Sequence, residues 1–104
     1  MILMRDNIMI IIILSINLRQ NKMVQLDNIK NNFHTVTINN IVLYFSYKTI
    51  IAISDNNGLK IVKNIWGNTT GRHLNYINTD KKIRIEHDQL MTYINHKLIM
   101  INNI

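Results

Sequence analysis

Asp55-Asn56-Asn57-Gly58 stands between two apolar runs, and no other four residues constrain the fold of this chain as tightly. Asn-Gly between hydrophobic segments marks a hairpin, because both residues accept the left-handed backbone that a type I′ turn demands. The chain contains no proline, so its turns must rely on Gly, Asn and Asp. A hairpin here fixes an antiparallel pair and sets the class of whatever surrounds it.

The neighbouring residues extend the pattern. Phe33 to Asn39 alternates and is rich in Thr and Val, which suits a strand. Asn39-Asn40 turns, because Asn tolerates positive φ. Ile41 to Lys48 reads as a second strand, and Thr49 to Ser54 carries a further apolar run. A kink or bulge near Ser46 to Thr49 would separate the two. Leu59 to Ile65 returns after the turn. The result is a meander of about three strands from Phe33 to Ile65. Asn68, Thr69 or Thr70 then offers a helix cap, and Gly71 to Ile77 gives two turns of helix. Lys82 to Ile85 reads as extended. Leu90, Ile94, Leu98 and Ile101 recur at helical spacing, so Glu86 to Ile101 is predicted as the longer helix. The expected fold is α+β, a small antiparallel sheet of three to four strands with two helices packed on one face.

The 104 residues allow one domain, and 47% hydrophobic content suits a small globular core. Ile and Asn are both abundant, which reads as the imprint of AT-rich codons. Residues 1–22 differ from the rest. Ile8 to Leu14 is unbroken and apolar, extended by Ile16 and Leu18. It is shorter than the roughly 18–20 residues of a spanning helix. Asp6 and the lack of an Ala-x-Ala site weigh against a signal peptide. We read 1–22 as a hydrophobic extension and 23–104 as the domain. Left uncovered, the run would be an aggregation hazard, so it is expected to pack loosely or to pair with another chain.

The formal charge is +6, with its densest group at Lys81, Lys82 and Arg84 and with Arg72 nearby. Basic proteins of this size meet nucleic acid, anionic lipid or acidic proteins. Cysteine is absent, which excludes disulfides and thiolate metal sites. His34, His73, His87 and His96 have no zinc-site spacing. There is no Gly-x-Ser-x-Gly and no phosphate-binding Gly loop. Glu86 and Asp88 are the only close carboxylates, and a helix points them apart. No catalytic residue, metal site or small-molecule cofactor is expected.

The polar cluster from Trp66 to Asn75 supports two readings. In one, helix N–H groups, Thr70 and Arg72 hold a phosphate while Trp66 or Tyr76 stacks on a base, with Tyr44 and Tyr47 extending the platform. In the other, Trp66 anchors the core between sheet and helix, the threonines cap the helix and His73 bonds a loop carbonyl.

The string Phe45-Ser46-Tyr47-Lys48-Thr49, with Ala52, Gly58, Asn64-Ile65-Trp66, Thr69-Thr70-Gly71-Arg72-His73-Leu74-Asn75 and Arg84-Ile85, resembles a family of small uncharacterised proteins found largely in bacterial viruses and mobile elements. That family often has Ser where this chain has Gly67. The resemblance implies a compact domain encoded by a virus or mobile element, and it implies no reaction.

The expectation is therefore a non-enzymatic binding module in the cytoplasm of a host cell. Nucleic acid is the leading partner, through Trp66, Thr70, Arg72, His73, Tyr76, Lys81, Lys82 and Arg84. The alternative is a protein–protein module, an inhibitor of a host factor or an assembly subunit. It would use the apolar N-terminal segment, with self-association as a homodimer one form.

Overall fold

The computed structural model describes residues 24–102. The apolar run from Ile8 to Leu14 and the boundary expected after residue 22 lie outside the described residues. Within them the chain is α+β, with an antiparallel sheet of five strands and two helices.

The strands are β1 (Val24–Lys30), β2 (Phe33–Ile38), β3 (Ile41–Ser46), β4 (Thr49–Asp55) and β5 (Gly58–Ile61), each beside the next. Every junction is a two-residue turn, as the end pairs Lys30↔Phe33, Ile38↔Ile41, Ser46↔Thr49 and Asp55↔Gly58 require. Asparagine supplies two of the strained turn positions, Asn32 at φ 60° and Asn39 at φ 54°. The hairpin at Asp55 differs in detail from a type I′ turn. Only Gly58 takes positive φ (103°), so Asn56-Asn57 turn and Gly58 occupies the left-handed position after them. Asp55 Oδ1 accepts from Asn57 N–H at 2.8 Å and sets that turn.

The sheet has five strands where three to four were expected. The extra strand is β1. Four of its seven residues in a row are exposed, from Gln25 to Asn28, so its alternation carries little apolar signal. At the other edge β5 ends at Ile61 instead of Ile65. Beyond it Val62 bridges Ile85 in parallel, with Lys63 N–H on Ile85 O and Ile85 N–H on Ile61 O, both at 2.9 Å. The segment expected to be extended is a 3-10 turn at Lys81–Ile83 followed by this single bridge. The expected break between β3 and β4 is the turn at Tyr47-Lys48, and a bulge at Ile51 follows it.

Strand alternation puts Phe33, Thr35, Tyr44, Ser46 and Ala52 on one face, and Val36, Leu43, Phe45 and Ile53 on the other. Ile50, Ile51, Ala52 and Ile53 are all buried, as befits a strand covered on both sides. Helix α1 (Asn68–Ile77) reaches the first face, where His73 bonds Ser46 and stacks on Phe33. Helix α2 (His87–Asn102) reaches the second through Asp55 and Lys60. The helices thus divide between the faces instead of sharing one. The reason is the Ile85 bridge, which carries the chain past the β5 edge between them.

Leu90, Met91, Ile94 and Leu98 are the buried stripe of α2, and Leu74 is that of α1. Gln89 Oε1 accepts from Glu86 N–H at 2.9 Å, half of a capping box at the start of α2. Tyr93 O–H donates to Asp55 Oδ2 at 2.5 Å and Lys97 Nζ lies 3.4 Å from the same oxygen, tying α2 to the β4–β5 hairpin.

Candidate nucleic-acid interface

The loop into α1 is built on Asn64. Its Oδ1 accepts from Trp66 N–H at 2.9 Å and its Nδ2 donates to Gly67 O at 3.0 Å. A Cβ at position 71 would come within 3.0 Å of that Nδ2, so Gly71 is the residue that lets helix and loop close. The N-cap is Gly67, without a side-chain cap. None of Asn68, Thr69 and Thr70 caps the helix as expected, because Thr70 lies inside it and its hydroxyl is engaged elsewhere.

That engagement is the polar centre of the molecule. Ser46 Oγ lies 2.9 Å from Thr70 Oγ1 and 2.7 Å from His73 Nδ1. All three are buried, with Ser46 only 1% exposed. In one orientation Thr70 donates to Ser46 and Ser46 donates to Nδ1. In the other, Nδ1–H donates and the order reverses. Either way Ser46 consumes Nδ1 and leaves Nε2 as the ring's second polar atom. Burial, then the charges of Lys30 and Arg72, hold the His73 imidazole below its ordinary pKa, so it is neutral at pH 7. A Ser–His pair suggests a nucleophile and its base. Here the serine residue is buried, and among the described residues the trio's hydrogen bonds reach no carboxylate.

Around the trio runs a chain of ring contacts. Tyr47 meets His73 at 6.3 Å, His73 stacks on Phe33 at 4.6 Å, and Phe33 meets Tyr76 edge-on at 5.4 Å. The inner rings are buried and the outer two are exposed, Tyr47 by 47% and Tyr76 by 59%. Tyr47 sits at φ 57°, a left-handed conformation uncommon for an aromatic residue. Its N–H donates to Asn32 O at 2.7 Å, which joins the β1–β2 and β3–β4 turns.

These two turns and α1 enclose an open cleft of about 400 Å³ lined by Lys30, Asn31, Asn32, Tyr47, Thr69, Arg72 and His73. A second cleft adjoins it through Asn32 and Tyr47 and adds His34, Lys48 and Thr49. Lys30, Lys48 and Arg72 are exposed cations, and no carboxylate lines either cleft among the described residues. Lys30 Nζ lies 4.7 Å above the Tyr76 ring, and Arg72 donates to Thr69 Oγ1 at 3.2 Å.

The residues singled out by sequence therefore separate. Arg72 and Tyr76 belong to this end of the sheet, exposed. Thr70 and His73 lie beneath it, buried, and only the His73 ring reaches the cleft. Trp66 is elsewhere. It is 39% exposed and meets the His87 ring edge-on at 5.7 Å, so it is not the core anchor of the architectural reading. Lys81 and Lys82 are exposed on the 3-10 turn and line neither cleft. Arg84 is held inside the fold, donating to Asn75 Oδ1 at 2.8 Å and Asn78 O at 3.2 Å. Its Nε is buried without a partner among the described residues. Ser46, Lys30, Asn32 and Lys48 were not singled out. Ser46 carried a signal in its motif string, whereas Lys30 reaches α1 only through the sheet register.

One family model, a family of unknown function, DUF8033, matches residues 16–92. The chain belongs to this family. The DUF8033 match spans all five strands, α1 and the first part of α2. It therefore includes both turns of the cleft and the Ser46–Thr70–His73 trio. No curated protein and no solved structure matches the chain. No helix among the described residues is long and apolar enough to cross a membrane. No three of His, Asp or Glu among them converge as metal ligands would.

Proposed function

We propose that this DUF8033 domain is a non-enzymatic binding module that contacts nucleic acid through the basic and aromatic end of its sheet. The observation that carries this is the joint placement of Lys30, Lys48 and Arg72 with two exposed tyrosines around clefts that no carboxylate lines among the described residues. Phosphates supply the matching charge, and bases supply flat faces for Tyr47 and Tyr76. The buried Ser46–His73 pair, with its imidazole neutral, serves as a support for that surface and not as a nucleophile. Origin in a bacterial virus or mobile element, and residence in the host cytoplasm, belong to the same proposal and rest on the motif string from Tyr44 to Ile85.

The test is a salt titration of nucleic-acid binding by fluorescence anisotropy. Three engaged cations give a slope of log K against log salt of about −2 to −3. An affinity indifferent to salt, or no binding at low salt, would refute the proposal. The rival, a protein–protein module, would dock through the apolar segment from Ile8 to Ile16, which lies outside the described residues. A stable dimer in light scattering that ignores oligonucleotide would favour it.

A further inference from the structure

The shape of the cleft narrows the ligand class, on the footing of the nucleic-acid reading above. It is a recess at the end of the sheet with volume for a nucleotide-sized group, between two hairpin turns and one helix. A duplex presents a convex backbone with its bases stacked against one another, so its base faces are closed to side chains. A single strand offers phosphate and open base face together.

The side chains match that pairing. Arg72 and Lys30 line one recess with His73, whose Nδ1 is taken by Ser46 and whose Nε2 is the remaining polar atom. Tyr47 borders the same recess, held outward at φ 57° by its N–H bond to Asn32 O. Left-handed backbone at a non-glycine residue is an unfavourable conformation that persists where the surroundings dictate it, and such residues cluster at binding sites. The outcome here is an exposed phenol ring beside the His73 ring, which itself stacks on Phe33. Stacking on such a ring is tolerant of base identity.

We infer that the cleft takes single-stranded nucleic acid, with one phosphate between Lys30 and Arg72 and the neighbouring base stacked on Tyr47. Tyr76, at the far end of the ring chain and under Lys30 Nζ, receives a second base on the same strand. The sugar is left open, so DNA and RNA single strands share this chemistry.

The experiment measures anisotropy of the full chain with short labelled DNA single strands, RNA single strands and DNA duplex at matched low salt. Either single strand should bind at least roughly ten-fold more tightly than duplex. A preference for one sugar identifies the source and supports the proposal. Tyr47→Ala should weaken single-strand binding roughly ten-fold with its salt slope unchanged, whereas Tyr47→Phe should bind as the parent does. Arg72→Gln should instead reduce the slope by about 0.7. Tyr47 is exposed, and a thermal melt of each variant checks that the fold is retained. Equal affinity for duplex and single strand, or Tyr47→Ala binding as the parent, overturns the inference and leaves the general nucleic-acid reading standing. Absence of binding to all three probes removes both.

Discussion

Replacing Ser46 by Ala removes one oxygen atom and strands two buried groups. Thr70 Oγ1 and His73 Nδ1 lose the partner they meet at 2.9 and 2.7 Å, and at 1% exposure water does not replace it without opening the site. A buried group left without its hydrogen bond costs about 1–3 kcal/mol, so the two together cost about 2–6 kcal/mol. Domains of this size are stable by about 5–15 kcal/mol, so the loss is a large share. At about 4–8 °C per kcal/mol, the melting temperature falls by at least ~8 °C. Urea unfolding followed by far-ultraviolet circular dichroism measures the change directly. The decisive comparison is the triple variant Ser46→Ala, Thr70→Val, His73→Phe, in which every member of the trio is apolar. It should recover to within about 1 kcal/mol of the parent, since no polar group is stranded and a ring still stacks on Phe33. A loss below about 0.5 kcal/mol for Ser46→Ala would refute the reasoning. So would a triple variant as unstable as the single one.

Three further outcomes follow from other contacts. His73 resists protonation in the fold, so its contribution is full above its unfolded value near pH 6.5 and is lost as pH falls through the lower folded value. Denaturant midpoints across that window should fall for the parent and stay flatter for His73→Phe. At the hairpin, burial raises the pKa of Asp55, but its bonds with Tyr93 and Asn57 N–H and the Lys97 charge outweigh burial and hold it below 3.8. Its stabilisation is present above pH 3.8 and fades as pH falls through the folded value. Tyr93→Phe should cost about 1.5–3 kcal/mol at neutral pH and move the acid-unfolding midpoint upward in a pH titration. Finally, Gly71→Ala places a methyl 3.0 Å from Asn64 Nδ2. In an Asn64→Ala background the same change should stabilise α1 by about 1 kcal/mol through helix propensity. In the parent that gain should vanish, and a double-mutant cycle showing no coupling would disprove the Asn64 staple.

Much of the architecture was legible in the chain because it is local. The turn residues sit where the backbone needs them, at Asn39-Asn40 and at Asp55 to Gly58, and β2, β3 and β4 follow from the apolar runs between them. The helix from Glu86 to Ile101 was legible because Leu90, Ile94 and Leu98 repeat at helical spacing. β1 was not, because it is the outermost strand among the described residues, with Gln25 to Asn28 all exposed, and Gln25, Asp27 and Asn28 dilute its pattern. The division of the helices between the faces was not legible either. It depends on one bridge, Val62 to Ile85, between residues remote in sequence.

The candidate site was legible as a string and not as a surface. The Thr69 to Asn75 string marked the right helix, yet its members perform different tasks. Thr70 and His73 turn inward to Ser46, Asn75 holds Arg84, Gly71 admits Asn64, and Arg72 and Tyr76 face out. A helix turns about 100° per residue, so adjacent letters of one motif project in different directions.

Composition, turn chemistry and the periodicity of apolar residues thus dictated a small basic α+β domain built on an antiparallel meander. These are properties of neighbouring residues and of total charge, which no distant contact alters. Tertiary structure decided which cations share a recess, that the serine and histidine are buried while the tyrosines are open, and that the indole stands apart from all of them. Those outcomes depend on sheet register and helix placement, where a displacement of one residue would turn a strand side chain to the other face and swing a helical one by about 100°.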